Sequence, residues 1–166
     1  MGALTSPESD QMSPFLPFVL PVAFWVAWSD MARMKIPNKA VLALLGIYMV
    51  VGPFALPLET YLWHYLHFAV VLVLGFVITS AGLAGAGDSK FAAAMAPFIF
   101  VEHLPGFLYL FAAVILAAFV THRSFRAMPV VANALPGWES FHRKDFPMGL
   151  ALSGALVLYL ALPAFN

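Results

Sequence analysis

The feature that most constrains this sequence is a succession of six apolar segments separated by short polar loops. Hydrophobic residues make up 63% of the 166 residues and charged residues 10%, whereas a soluble domain carries roughly a quarter charged residues. A soluble fold of this size could not bury so much apolar surface, so part of it must face lipid. We therefore predict an all-α polytopic membrane protein with about six transmembrane helices. The segments are residues 12–29, 40–58, 65–83, 91–101, 105–121 and 147–165.

The fourth segment is short, because a helix needs roughly 20 apolar residues to cross the hydrocarbon of a bilayer. It reaches that length only if its helix includes Asp88 and Lys90 at one end and continues to Leu104 at the other. A re-entrant or buried helix is the alternative, and Pro97 can kink it. We predict that the segment crosses the membrane. The domain organisation expected is a polar tail, 1–11, and one membrane domain, 12–166.

The basic residues show why a sixfold crossing is favoured. All eight Lys and Arg residues fall in alternate loops, so six crossings bring them to one face. The positive-inside rule makes that face cytoplasmic and places both termini outside. A formal net charge of zero gives no indication of nucleic-acid binding. The basic residues are Arg33, Lys35, Lys39, Lys90, Arg123, Arg126, Arg143 and Lys144.

Two aspartates lie at the predicted cytoplasmic face, Asp30 after the first segment and Asp88 before the fourth. A carboxylate at a helix C-terminus is at the unfavourable end of the helix dipole, so capping does not explain Asp30, although Arg33 could pair with it. Asp88 could cap a helix beginning at Ser89. Neither alternative explains two acids on one face at membrane depth, where ionisable groups are costly unless they are paired or used.

Two carboxylates at the mouth of a helix bundle favour one chemistry above others. Like charges a few ångströms apart cannot both ionise easily, so the pair shares one proton. The ionised member can take a proton from water while the protonated member polarises a peptide carbonyl. This is aspartyl protease chemistry, and it requires neither a metal nor another cofactor.

Other sites are less well supported by the residues. The chain has no cysteine and no HExxH pattern, and its outer-face histidines, His64, His67 and His103, are read as polar loop or interfacial residues. A serine triad would need Ser29 to meet His122 or His142. Two functional alternatives remain, a proton-coupled transporter that uses the acids as a relay and a non-catalytic assembly subunit.

Three stretches together resemble the type IV prepilin peptidases, which are membrane aspartyl proteases of the GxGD class. They are D-M-A-R-M-K-I-P-N at 30–38, G-A-G-D-S-K-F at 85–91, and F-P-M-G-L-A-L-S-G-A at 146–155. The resemblance implies that Asp30 and Asp88 are the catalytic pair. It also implies supporting roles for the remaining motif residues, Pro37, Asn38, Gly85, Gly87, Lys90, Pro147 and Gly149.

The resemblance further implies a function, namely cleavage of the basic leader from prepilins or pseudopilins at the cytoplasmic face of the bacterial inner membrane. The short form is similar to the stand-alone peptidases of Flp (tight-adherence) pilus systems. Larger members carry paired CxxC motifs used with N-methylation, and this chain has no cysteine, so methyl transfer is not expected. The sequence names neither the pilin nor the oligomeric state.

Overall fold

A computed structural model describes residues 12–162 as a bundle of helices without strands in that range. The predicted tail, 1–11, and the end of the sixth segment lie outside the described residues. Short 3-10 turns occur at Ser13–Phe15, Ala96–Phe98 and Val101–His103. The α-helices are α1 Leu16–Arg33, α2 Asn38–Ala55, α3 Leu58–Ser80, α4 Ala86–Met95, α5 Leu104–Ala127, α6 Pro129–Ala134, α7 Glu139–His142 and α8 Met148–Ala161.

Four stretches within residues 12–162 are long and apolar enough to cross a membrane: Ser13–Arg33, Asn38–Ala55, Leu58–Ser80 and Val101–Ala127. The helices of the fourth and sixth predicted segments are shorter. At a rise of 1.5 Å per residue, the 14 residues of α8 extend over about 21 Å, against about 30 Å of hydrocarbon. All-helical architecture is thus confirmed, whereas six full-length spans are not.

The fourth helix ends early because of Pro97. Regular helix stops at Met95, one 3-10 turn follows, and Ile99 is extended. Proline has no N–H to donate to the carbonyl four residues earlier, so the helical ladder is interrupted there. The freed Pro97 carbonyl lies 2.7 Å from His64 Nδ1 on α3. The expectation that this helix continues to Leu104 was wrong.

The helices alternate in direction and bring the basic residues to one end of the bundle, which we call the basic end. There Arg123 donates to the Lys144 carbonyl at 3.2 Å, and Arg126 donates to the Arg143 carbonyl at 2.6 Å. The end of α3 meets the start of α4 through a 2.8 Å hydrogen bond between Thr79 and Ser89. The basic end is therefore formed by the C-termini of α1, α3 and α5 and the N-termini of α2, α4 and α8.

Helices α4 and α8 lie inside the bundle, and the longer helices surround them. Helix α8 packs mainly on α1 and α5, and α4 packs mainly on α3. Most of α8 is buried, whereas only 6% of the most apolar stretch of α3, and likewise of α5, is buried. Exposed apolar helices of this kind are stable facing lipid and not water. The short helices thus begin inside the bundle at the basic end, where the two aspartates lie.

Candidate active site

Asp30 lies in the last turns of α1 and is almost fully buried, with 5% of its surface exposed. The helix ends at Arg33 because Met34 adopts a left-handed conformation (φ 52°), and its N–H donates to the Asp30 carbonyl at 2.8 Å. Ser29 then secures the following loop by donating to the Lys35 carbonyl at 2.9 Å. Asp30 is therefore held in a helix, and not in the loop that follows it.

The carboxylate of Asp30 is bound by the start of another helix. The backbone N–H of Gly149, the second residue of α8, donates to Asp30 Oδ2 at 2.6 Å. A helix N-terminus carries unsatisfied N–H groups and the positive end of the helix dipole, so it stabilises a carboxylate. Asp30 thus sits at the unfavourable end of α1 but at the favourable end of α8.

The absence of a side chain at Gly149 leaves space for this contact. A Cβ at that position would lie 2.9 Å from Asp30 Oδ2 and 3.0 Å from both Asp30 Cβ and Ile36 Cδ1. Contacts this short require the neighbouring atoms to move, and two of the three belong to the candidate catalytic side chain. Gly149 therefore supports the site by letting the α8 backbone reach the acid.

Asp88 is the third residue of α4, in the helix's first turn, and Gly85 is the N-cap. The interpretation of Asp88 as the N-cap of a helix beginning at Ser89 was therefore wrong. Partial burial raises the pKa of the Asp88 carboxyl above its ordinary value, and the Gly85 N–H, which favours the ionised form, offsets part of that rise. A Cβ at Gly85 would lie 2.6 Å from Asp88 Oδ2, so a side chain there would displace the acid.

The structure brings both aspartates to the wall of one open cavity of about 500 Å³ at the basic end. The cavity is lined by Asp30, Met34, Lys35, Ile36, Asn38, Gly85, Ala86, Gly87, Asp88, Lys90, Asp145, Phe146 and Met148.

The supporting residues named from the sequence fall into two groups. Asn38, Gly85, Gly87 and Lys90 line the cavity, and the Lys90 side chain is exposed. Two prolines lie just outside it as the N-caps of helices, Pro37 before α2 and Pro147 before α8. Proline has a fixed φ and no backbone N–H, so it fits at the beginning of a helix, where an N–H would have no partner within the helix. These two residues therefore define where both helices start.

Two of the cavity residues that were not named as site residues from the sequence, Ile36 and Asp145, contribute to its shape and charge. Ile36 packs against the first turns of α4 and α8. A Cβ at Gly87 in α4 would lie 3.5 Å from Ile36 Cβ, and a Cβ at Gly149 in α8 would lie 3.0 Å from Ile36 Cδ1. Asp145, in the loop before α8, contributes a third carboxylate to the cavity wall. Its position two residues before Pro147, close to the third motif, was the one signal in the sequence that could have indicated it. No pattern in a single sequence shows that this loop lines the cavity.

The competing sites are not assembled in residues 12–162. The Ser29 hydroxyl donates to the Lys35 carbonyl, His122 is buried against the rings of Phe141 and Phe146, and His142 lies 3.1 Å from the Pro136 carbonyl. His64, His67 and His103 lie at the opposite end of the bundle from Asp30 and Asp88. No group of three potential metal ligands is found in the described range.

These features define a class: a helical, multi-pass membrane protein whose candidate site holds two carboxylates between the starts of buried helices. The family model of the type IV leader peptidase family matches residues 18–122, and the chain belongs to that family. The match includes Asp30 and Asp88 and ends before Gly149. Searches of curated proteins and of solved structures found no significant match. The resemblance identified from the motifs is thus confirmed, and the chain is a peptidase-family protein.

Proposed function

We propose that this protein is a membrane aspartyl endopeptidase that removes the leader peptide from type IV prepilins, with Asp30 and Asp88 as its catalytic residues. The observation that carries the proposal is the placement of both carboxylates on one water-accessible cavity, in a chain of the type IV leader peptidase family. The two acids are 58 positions apart in the chain, yet both line this cavity. Their convergence is expected if they act on one water molecule.

The chemistry follows from sharing one proton between two carboxyl groups. The ionised carboxylate removes a proton from water, and the water oxygen attacks the scissile carbonyl carbon. The protonated carboxyl donates to the carbonyl oxygen as negative charge develops there. When the C–N bond breaks, the leaving amine takes up a proton, and the acid pair returns to its starting state. No covalent intermediate is formed.

The cavity also constrains the substrate. A peptide in a helix hides its carbonyls in hydrogen bonds, so the scissile segment must be extended when it enters. The leader reaches the cavity from the aqueous side of the basic end, and the apolar pilin segment remains in the bilayer. Under the positive-inside rule the basic end is cytoplasmic, which places the site at the inner face of the bacterial inner membrane and both termini outside.

The direct test is co-expression with a candidate prepilin, followed by measurement of the prepilin's electrophoretic mobility. The wild-type protein is expected to produce the shorter form, and Asp30→Asn and Asp88→Asn are each expected to abolish it while leaving the protein inserted. Glu59→Gln, which changes an acid at the opposite end of the bundle, is the matched control. Processing by the Asp30→Asn/Asp88→Asn double variant would show that the catalytic assignment is wrong.

We further propose that the protein acts on Flp-type prepilins and does not methylate its product, as in the stand-alone members of the family. The cavity residues include no cysteine, because the chain has none. Mass spectrometry of the processed pilin is expected to show an unmodified N-terminal amine. A methylated N-terminus formed by the purified protein with a methyl donor would contradict this part of the proposal.

A further inference from the structure

The third carboxylate of the cavity, Asp145, has no role in the hydrolysis described above. It is exposed and lines the same wall as Asp30 and Asp88. Two lysines, Lys35 and Lys90, also line this cavity, yet Asp145 forms no ion pair within 4 Å with any residue in the described range. Its negative charge is therefore available to something that enters the cavity.

The loop that carries Asp145 is held in place on both sides of it. The carbonyls of Arg143 and Lys144 accept hydrogen bonds from Arg126 and Arg123 on α5. On the other side, Phe146 packs against Phe119, with ring centroids 5.8 Å apart. Asp145 is thus presented by an anchored segment.

Two of the cations near this loop, Arg143 and Arg123, have partners other than Asp145. Arg143 pairs with Glu139 at 3.1 Å, and Arg123 lies over the Phe119 ring at 5.2 Å while donating to a backbone carbonyl. These contacts occupy two of the cations at this end, and the adjacent Lys144 forms no ion pair within 4 Å with any residue in the described range.

Asp30 and Asp88 likewise form no ion pair within 4 Å among residues 12–162, but each accepts a backbone N–H, from Gly149 and from Gly85. The exposed carboxylate of Asp145 has neither kind of partner among the described residues, so contacts within that part of the protein do not explain it.

A basic leader meets an electrostatic difficulty at this end of the bundle. All eight Lys and Arg residues of the chain lie there, so a cationic peptide is repelled as it approaches. A carboxylate at the cavity wall offers local attraction at the place where the peptide must bind. Charge complementarity therefore matches Asp145 to a Lys or Arg side chain of the substrate.

We infer that Asp145 is a specificity-determining residue that binds a cationic side chain of the leader close to the scissile bond. This inference rests on the proposed peptidase function and deepens it. Asp145 acts on substrate binding and takes no part in the chemical step. The consequence is a preference for cationic leaders that appears in KM and not in kcat.

The test uses the full-length protein in phosphatidylcholine vesicles, which carry no net charge that would itself attract a basic peptide. The probes are synthetic reporters consisting of a leader and an apolar segment, identical except for Lys, Gln or Glu at one leader position. Each of the three leader positions nearest to the scissile bond is tested in turn. Preference is measured as the ratio of kcat/KM for Lys and Gln reporters within one variant, so that it does not depend on protein yield.

The wild-type protein is expected to prefer Lys over Gln by roughly two- to fivefold at one position, as for an exposed ion pair, and to lose this preference as salt is added. Asp145→Asn is expected to cleave both reporters equally, and Asp145→Lys to prefer Glu. Glu139→Gln, which breaks the Arg143 pair in the same region, is expected to keep the wild-type ratio.

The outcomes separate this inference from the proposed function. Unchanged preference in Asp145→Asn, or no preference at any of the three positions in the wild type, would overturn the role of Asp145 while cleavage itself still supported a peptidase. If the wild-type protein cleaves no reporter and no prepilin, the proposed function fails and the inference falls with it.

Discussion

The Gly149 N–H and the Asp30 carboxylate are joined by a 2.6 Å hydrogen bond across 119 positions of the chain. Through this bond α8 contributes to the site with its backbone and not with a side chain. It also accounts for a buried carboxylate at the C-terminal end of α1, because the N-terminus of α8 supplies the compensating donor and dipole. The start of α8 therefore sets the position of one candidate catalytic group.

Substituting Gly149 with Ala tests this role. The new Cβ would lie 2.9 Å from Asp30 Oδ2, so the carboxylate must move or the hydrogen bond must lengthen. We expect kcat for prepilin cleavage to fall by about 100-fold, since a displacement on the order of 1 Å at a catalytic group has effects of that size. Single-turnover cleavage in detergent measures it.

Gly154→Ala is the matched control for that prediction, because it adds a methyl group to the same helix. A Cβ at Gly154 meets only Val114, at an ordinary contact distance of 3.5 Å. This variant is expected to retain activity. Equal kcat values for the Gly149→Ala and Gly154→Ala variants would show that the Asp30 contact is not required for cleavage.

The two glycines of the GxGD motif are predicted to differ in their tolerance of a side chain. A Cβ at Gly85 would lie 2.6 Å from Asp88 Oδ2, whereas a Cβ at Gly87 would make an ordinary 3.5 Å contact with Ile36. Gly85→Ala should therefore reduce kcat by at least tenfold more than Gly87→Ala does. The measurement is cleavage of the same prepilin by both purified variants, and the reverse order of activities would contradict it.

The burial of Asp88 predicts a cost in stability that depends on pH. Its pKa is raised by burial, so the folded state binds the proton more tightly than the unfolded state does. Stability is then lost as pH rises from the ordinary Asp pKa of about 3.9 through the raised value. Asp88→Asn removes the charge, so its Tm should exceed that of the wild type at pH 7, and the two should converge below about pH 3.9.

This comparison carries its own control, because at low pH both side chains are neutral and nearly equal in shape. Thermal unfolding in one detergent across the pH range gives the Tm difference. A wild-type protein more stable than Asp88→Asn at pH 7 would mean that local contacts of the ionised carboxylate outweigh its desolvation. The variant is also expected to be inactive, which separates stability from function.

The sequence was sufficient to predict the helical membrane class, the family, and Asp30 and Asp88 as candidates, because these depend on local composition, alternating charge and short motifs. It was less informative about where helices end. Met34 ends α1 in a left-handed conformation that glycine usually adopts, so no signal marked that boundary. The contact of Gly149 with Asp30 and the position of Asp145 at the cavity depend on packing between segments far apart in the chain. The hydrophobic pattern of a single segment does not show such packing.

Two glycines of α2 predict stability effects of opposite sign. A Cβ at Gly46 meets nothing within 4 Å, so Gly46→Ala should stabilise the helix by about 0.5–1 kcal/mol through the lower conformational entropy of the unfolded chain.

A Cβ at Gly52 would lie 2.6 Å from the Tyr61 ring, and that ring cannot easily withdraw. It stacks on Tyr48 with centroids 5.4 Å apart, and its hydroxyl lies 2.6 Å from that of Tyr65. Gly52→Ala is therefore expected to destabilise by about 1–3 kcal/mol, as overpacking does. Denaturant unfolding of both variants measures the difference, and a stabilising Gly52→Ala would show that this aromatic cluster can rearrange.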